Sequence, residues 1–303
     1  MTRDKLQKLI EDLSDNSPMN YLGTDKREFM NDNYTKNSFS GLDPKVYEQT
    51  EFGENNGMRF FERPIFAVAR ADDPCFAEIK RPEVVGNHHL TPYDWMPEAK
   101  TVISFFIPIN HEIVEKNKRH PTEPALEWLY TRVDGQVFIL ALCTTVLEAL
   151  IADGHKAVAP FNEAKYIMKT GYDQLTAADI PAYSTNWSER HVAYITGLGT
   201  FGLSANFISK LGSSGRLVSV VTDWDIEPDV RDYDDWLGYC LRCGTCKQKC
   251  PPHAMYEDRI GKNHEACGGF IRTIRAKNEP RFGCGFCQTG TPCSYRGPAV
   301  MNE

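Results

Sequence analysis

The sequence contains no apolar run longer than Val137 to Cys143, VFILALC, far short of the roughly 18 residues that suggest a membrane-spanning helix. Its opening, MTRDKLQKLIEDLSDN, has neither the apolar core of a signal peptide nor a twin-arginine pair. These absences predict a cytoplasmic protein with no membrane partner. Positive charge is not in surplus: 34 Lys and Arg face 41 Asp and Glu, for a net charge of −7 and a pI near 5.7. Such a chain has no general attraction for phosphate backbones or anionic lipid, so nucleic acid is not expected as a partner. Internal repeats and low-complexity segments are absent. Cysteine is nearly absent before residue 240, where only Cys75 and Cys143 occur. Thiols of a cytoplasmic chain stay reduced, which excludes a disulfide framework.

The 303 residues are 41% hydrophobic and 25% charged, as in ordinary globular proteins with an ample core. Three regions follow from the patterning. Residues 1–62 are polar and read as an extended arm wrapping the core, with one amphipathic helix marked by Leu6, Leu9, Ile10 and Leu13. Residues 63–234 read as an α/β domain. Strands are expected at Ile65–Ala71, Thr101–Ile109, KAVAP and GRLVSVVTD, with helices at Leu126–Ala152 and Ser188–Thr196 and a Thr-, Pro- and Asp-rich loop before Ser188. The Leu126–Ala152 helix is long and mostly buried, ending at Asp153-Gly154. In residues 235–303 only Gly268–Ala276 looks helical, and this tail is too poor in apolar residues to form a core without metal.

Eight of the ten cysteines lie between Cys240 and Cys293. Cys240, Cys243, Cys246 and Cys250 before Pro251 form C-x2-C-x2-C-x3-C-P. In that bacterial-ferredoxin spacing three thiolates from one loop grip an iron–sulfur cube and the fourth ligates a neighbouring one. Structural zinc would use two paired knuckles and leave the third cysteine without a role. Cys267, Cys284, Cys287 and Cys293 complete the count for two [4Fe-4S] clusters. Two-cluster ferredoxin topology assigns Cys240, Cys243, Cys246 and Cys293 to one and Cys250, Cys267, Cys284 and Cys287 to the other. The closing C-x5-C before Cys293 departs from the commoner C-x3-C.

A literal G-x-G-x-x-G occurs at Gly197, Gly199 and Gly202. A dinucleotide fingerprint needs a strand before it and a helix after it, whereas SERHVAYIT reads as a preceding helix capped by Ser188. Asp223, 21 residues after Gly202, imitates a ribose-binding acid but sits at a strand end.

Read as one block with the cysteines that follow, YSTNWSERHVAYITGLGTFGLSANFISKLGSSGRLVSVVTD, Tyr183 to Asp223, resembles the family joining reductive dehalogenases and epoxyqueuosine reductases. The resemblance begins near Trp95 and ends at Cys293. It implies a nitroreductase-like α/β (α+β) domain that binds cobalamin, with a C-terminal ferredoxin-like module of two clusters. By the same resemblance Gly197, Gly199, Thr200, Phe201, Gly202 and Ser204 lie against the corrin, although helix packing and turns alone would also call for these glycines. In DGHKAV the position where an Asp-x-His-x-x-Gly cobalt motif would have glycine is Val158. His155 is therefore placed at a helix exit, and base-off cobalamin is implied.

Epoxyqueuosine reductases carry a proton-donating Asp six residues before the Glu of the ER pair, and dehalogenases a Tyr. Six residues before Glu189 stands Tyr183. The resemblance is thus nearer the dehalogenase side and implies a reductase of a small electrophilic substrate that acts through Co(I), with Tyr183 as proton donor. A phenol, with a pKa of about 10, needs a nearby cation to act as an acid. Arg216 is the candidate, unless it is a surface arginine at a strand entrance. Asn206 could orient substrate or halide, or be a turn residue. An external ferredoxin or flavodoxin is the expected electron donor, and a homodimer stays open. With the chain ending ten residues after Cys293, no tRNA-gripping helical-repeat tail is expected. A tRNA-modifying reductase and an electron-transfer protein serving a corrinoid partner remain the alternatives.

Overall fold

A computed structural model describes residues 1–33, 44–169 and 183–298. Most of the loop expected before Ser188 and the middle of the N-terminal arm lie outside them. In chain order the elements are α1 (Arg3–Asn16), α2 (Arg27–Asn33), β1 (Ile65–Arg70), α3 (Cys75–Glu78), α4 (Pro92–Trp95), β2 (Thr101–Pro108) and α5 (His111–Arg119). Then come α6 (Leu126–Val133), α7 (Gln136–Ala152), β3 (Ala157–Val158), β4 (Met168–Lys169), β5 (Ser184–Thr185) and α8 (Glu189–Thr196). The last are β6 (Gly199–Phe201), β7 (Phe207–Ser209), β8 (Gly215–Thr222), α9 (Thr245–Gln248) and α10 (His264–Asn278).

The main sheet has the order β1-β2-β8-β3 and is antiparallel throughout. Every residue of β2 is buried, so TVISFFIP reads as a continuous apolar run rather than an alternating one. Successive side chains point to opposite faces. Ile103, Phe105 and Ile107 pack with Phe138, Leu142 and Val146 of α7 and with Leu6 and Ile10 of α1. Val102 faces the other way, toward Trp187, Val192 and Ile195, and Phe106 joins Ala193, Leu198 and Phe207. The sheet is thus sandwiched between α1 and α7 on one side and α8 on the other. Trp187 is anchored across that second layer by its Nε1–H, which donates to Ser219 Oγ at 2.9 Å.

Two sequence expectations are corrected. The single helix expected over Leu126–Ala152 is two, interrupted at Asp134-Gly135. Asp134 turns its carboxylate to Arg281, which donates from Nε at 2.7 Å and from Nη2 at 2.9 Å, with both side chains buried. Apolar periodicity does not register such a break, because the spacing of core residues continues through it. The helix expected from Gly268 begins at His264, because the Asn263 side chain accepts from Ala266 N and caps it there.

The Arg281–Asp134 pair joins the C-terminal tail to the α/β domain. Removing one partner of a buried pair leaves the other charge uncompensated and costs about 3–5 kcal/mol. Asp134→Asn should lower stability by that order in urea unfolding. Asp134→Asn combined with Arg281→Gln should lose clearly less than the sum of the single changes, and additive losses would show that the pair carries no coupling.

Candidate functional site

The tail folds its cysteines around two voids. Cys240, Cys243, Cys246 and Cys293 line a small one of about 30 Å³, and Cys250, Cys267, Cys284 and Cys287 stand in the wall of a larger cavity of about 440 Å³. Cys287, Asn206 and Ser213 line both. Cys267 is brought in by the first turn of α10. Cys293 is held by its own carbonyl, which accepts from Ser213 N at 2.7 Å. Among the described residues no three Cys, His or carboxylate groups converge on a single-ion site. Thiols spread around a void suit a polynuclear cluster better than zinc, whose donors sit only about 2.0–2.3 Å from one ion. Burial, and then the neighbouring thiols Cys287, Cys293, Cys240 and Cys243, push the Cys246 thiol up to about 11. Cys284 is pushed up to about 12 by burial, with Cys287, Cys267 and Cys250 adding to it. Such thiols become thiolates only when a metal centre takes the charge.

The larger cavity is walled by α6, α8, β8, α10 and the loop Phe282–Gln288. Glu189, at the first position of α8, lines it. Neither of its carboxyl oxygens has a hydrogen bond of normal geometry; Ser219 comes near enough only to offset part of the burial, which raises the carboxyl from 4.5 to about 8. Tyr166 lines the cavity too, its phenol raised to about 12 by burial while Arg216 pulls the other way. Arg132, Arg190, Arg216 and Lys262 supply cations. Arg190 counts as exposed, but much of that surface faces the cavity, and the protein around it is dense enough to lower its pKa by desolvation. No histidine lines this cavity among the described residues.

The residues expected from sequence are distributed as follows. Tyr183 is not in the cavity wall. It has a left-handed backbone, φ 61°, its hydroxyl donates to Glu265 Oε2 at 3.1 Å, and its ring lies 5.0 Å from that of His264. Burial and the Glu265 carboxylate raise its pKa, the opposite of the cationic assistance expected. Arg216 does line the cavity, but Nη2 donates to Gln136 Oε1 at 2.7 Å, and the phenol it influences is Tyr166. Asn206 donates from Nδ2 to Cys287 Sγ at 2.8 Å, so its amide is spent on a thiol between the two voids.

The glycine motif runs from helix to strand, α8 into β6, which is not the order a dinucleotide site requires. Gly197 is the left-handed C-cap of α8, and a Cβ on Gly199 would stand 2.0 Å from the Ile208 carbonyl oxygen across the β6-β7 pair. Thr200 accepts from Tyr239 N at 2.8 Å, and Phe201 packs against His191, Phe207 and Trp236. Local structure accounts for these four without a cofactor. Gly202 and Ser204 do reach a site, the small void beside Cys240 and Cys243. His155 lies beyond α7 near Asp153, Asp223 and Trp224, away from the cavity. Glu189, Tyr166 and Arg132 are the cavity groups that sequence reading missed as functional. Only the ER pair, noticed as a landmark, pointed toward one of them.

No family profile matches the sequence, and no curated protein does. Solved structures are similar. One described as a reductive dehalogenase structure suggesting a mechanism for B12-dependent dehalogenation has a TM-score of 0.51 at 12% identity, covering 78% of this chain and 31% of its own. An epoxyqueuosine reductase from Streptococcus thermophilus has a TM-score of 0.44 at 18% identity, over 76% of this chain and 62% of its own. Another epoxyqueuosine reductase, with an epoxyqueuosine-modified tRNA-Tyr stem loop, has a TM-score of 0.44 at 18% identity, over 76% and 61%. The chain therefore spans under two thirds of these enzymes. Its mixed α/β fold with small antiparallel sheets is shared with the dehalogenase structure. These structures belong to the two enzyme groups that the Tyr183–Asp223 block resembles.

A carboxyl raised from 4.5 to about 8 by folding favours the native state in its neutral form. Its contribution is full below pH 4.5 and is lost as pH rises toward about 8. Urea titrations between pH 5 and 9 should therefore show a decline in stability that Glu189→Gln flattens; an unchanged slope would place the raised pKa elsewhere.

Proposed function

We propose that the chain is a cobalamin-dependent iron–sulfur reductase of a small electrophilic molecule, with one [4Fe-4S] cluster at each set of four thiols and the corrinoid in the larger cavity. The observation that carries this reading is the meeting of an electron path and a proton in one void: four thiols form one part of its wall, and a neutral carboxyl, Glu189, lines another. Cobalamin would supply there the low-potential cobalt chemistry that opens a carbon–halogen or similar bond.

The chain's own residues do the rest. Cys243 is the exposed thiol of the outer set and marks where an external ferredoxin or flavodoxin would deliver electrons. Cys287, shared by both voids and bonded by Asn206, marks the step between the clusters. No histidine lines the cavity among the described residues, so none of them would take the place of a corrinoid's own base there, in keeping with the base-off binding that the resemblance implies. Glu189 holds its proton at neutral pH and can release it inside the cavity. For an organohalide, two electrons and one proton replace halogen by hydrogen and release halide. We assign the proton to Glu189 because it lines the void, whereas Tyr183 hydrogen-bonds outside it to Glu265.

Anaerobic reconstitution should give about eight irons per chain, falling by about four in Cys267→Ser. Electron paramagnetic resonance of the cob(II)alamin form should lack axial nitrogen splitting; splitting from a ligand would sink the base-off assignment. With the loaded enzyme and a panel of organohalides, Glu189→Gln should slow turnover by about 10²–10⁴-fold and remove an alkaline limb near pH 8. Tyr183→Phe should leave that limb in place. The reverse pattern would make Tyr183 the donor, and turnover of an epoxyqueuosine tRNA alone would select the tRNA-modifying reading.

A further inference from the structure

The turn between β6 and β7 is held in a strained shape. Ala205 has a left-handed backbone, φ 56°, which a residue with a Cβ keeps only where its surroundings enforce it. Here Ala205 N donates to the Gly202 carbonyl at 2.9 Å, Gly202 N donates to the Asn206 carbonyl at 2.8 Å, and Gly261 N of the tail donates to the Leu203 carbonyl at 2.9 Å. Arg190 Nη1 donates to the Ala205 carbonyl at 3.2 Å. What the turn presents is Asn206, buried, with Nδ2 donating to Cys287 Sγ at 2.8 Å. Arg190 serves the same place. No carboxylate pairs with it among the described residues; burial weakens its charge, and the groups that favour it are Cys287 and then Cys267. The outer four thiols are served differently. Thr245 Oγ1 lies 3.3 Å from Cys243 Sγ, and Cys293 Sγ has Thr291 Oγ1 at 3.3 Å and Ser213 Oγ at 3.7 Å. These are neutral hydroxyls, and the cations next along the chain, Arg242 and Lys247, are met by Asp235 and Glu257. Cys243 is the exposed thiol of the eight, and Cys250 the buried one. Water reaches the outer centre and stabilises added negative charge there, whereas beside Cys250 the protein has to supply more of that stabilisation.

We propose that Asn206 and Arg190 set the reduction potential of the cluster at Cys250, Cys267, Cys284 and Cys287, raising it selectively so that an electron crossing from the outer cluster is held beside the larger cavity. Reduction adds one electron and no proton to a cluster; the electron is the one given up by the reduced ferredoxin or flavodoxin named above. Part of the added charge falls on the ligating sulfurs, so an N–H aimed at Sγ and a guanidinium without a carboxylate favour the reduced form. The two residues act as one unit, because Arg190 holds the carbonyl of the residue that precedes Asn206. Asn206 lines both voids but spends its bond on an inner thiol, and Arg190 lines only the larger of the two. The inference rests on the two-cluster reading above and not on the corrinoid.

The test is a redox titration, followed by electron paramagnetic resonance, of the full chain carrying its clusters and cobalamin. The signal lost in Cys267→Ser identifies the inner cluster. Asn206→Leu should lower the reduced-to-oxidised ratio of that cluster at a fixed potential by about 10-fold, the order of one charge-assisted hydrogen bond, which for one electron is about 59 mV. Arg190→Met should lower it by a similar factor, and Arg190→Lys, which keeps the charge, by less. Thr245→Val should move the outer cluster alone. The Asn206, Arg190 and Thr245 variants should each keep about eight irons. Should Arg190→Met lose iron, Asn206→Leu decides together with Asn206→Asp, which places a negative charge beside Cys287 and should give a larger shift in the same direction. With the irons in place, an inner cluster unmoved by Asn206→Leu, or moved no more than the outer one, would overturn the inference and leave the two-cluster reading standing. Unsubstituted protein that takes up only about four irons would sink that reading, and the inference with it.

Discussion

Arg281 and Asp134 hold the arrangement together at the point where the chain most needs it. The cysteine-rich tail has little apolar material of its own, with Cys250, Ala254 and Met255 as its small buried cluster. It cannot set the positions of eight thiols by itself and borrows rigidity from the α/β domain. The bidentate pair ties it to the break between α6 and α7, and Arg281 also lies 5.0 Å from the ring centroids of Phe52 and Tyr130. Close by, Gly285 lies flat against Trp128, where a Cβ would come within 2.2 Å of the indole ring, and Asn117 Nδ2 donates to the Cys284 carbonyl. The loop bearing Cys284 and Cys287 is thus pressed onto α5 and α6. A metal centre bound there would report on the packing of those helices as much as on its own ligands.

That docking also creates the larger cavity. Its floor is β8 and its sides are α6 and α8, all parts of the sheet-centred core, and the tail closes it. Burial then acts in opposite senses on the groups it encloses. It keeps Glu189 neutral, weakens the hold of Arg216 on its proton, and raises the Cys267 and Cys284 thiols until a metal is present. The same loss of water that makes an uncompensated charge expensive makes a compensating ligand charge valuable. Thiols, a neutral carboxyl and arginines thus share the wall of one void.

Sequence alone went far with this chain. The spacing of Cys240, Cys243, Cys246 and Cys250 requires one tight loop, so grouping the first three around one centre follows from local chain length; the same grouping surrounds the small void, together with Cys293. Strands β1, β2 and β8 were legible because β-branched and aromatic runs have few other ways to be buried. The glycine motif could be denied a dinucleotide role because the helical pattern before it is local too. Tertiary structure decided what depends on facing rather than on order along the chain. Tyr183 keeps its distance of six residues from Glu189 yet points to Glu265, and Arg216 meets Tyr166 and Gln136, because a strand and a loop end are oriented by the layers they pack on. Glu189, Tyr166 and Arg132 are ordinary residues in the sequence. They acquire shifted acidity or unsatisfied charge only from the desolvated void they share, a property of enclosure that no spacing along the chain encodes.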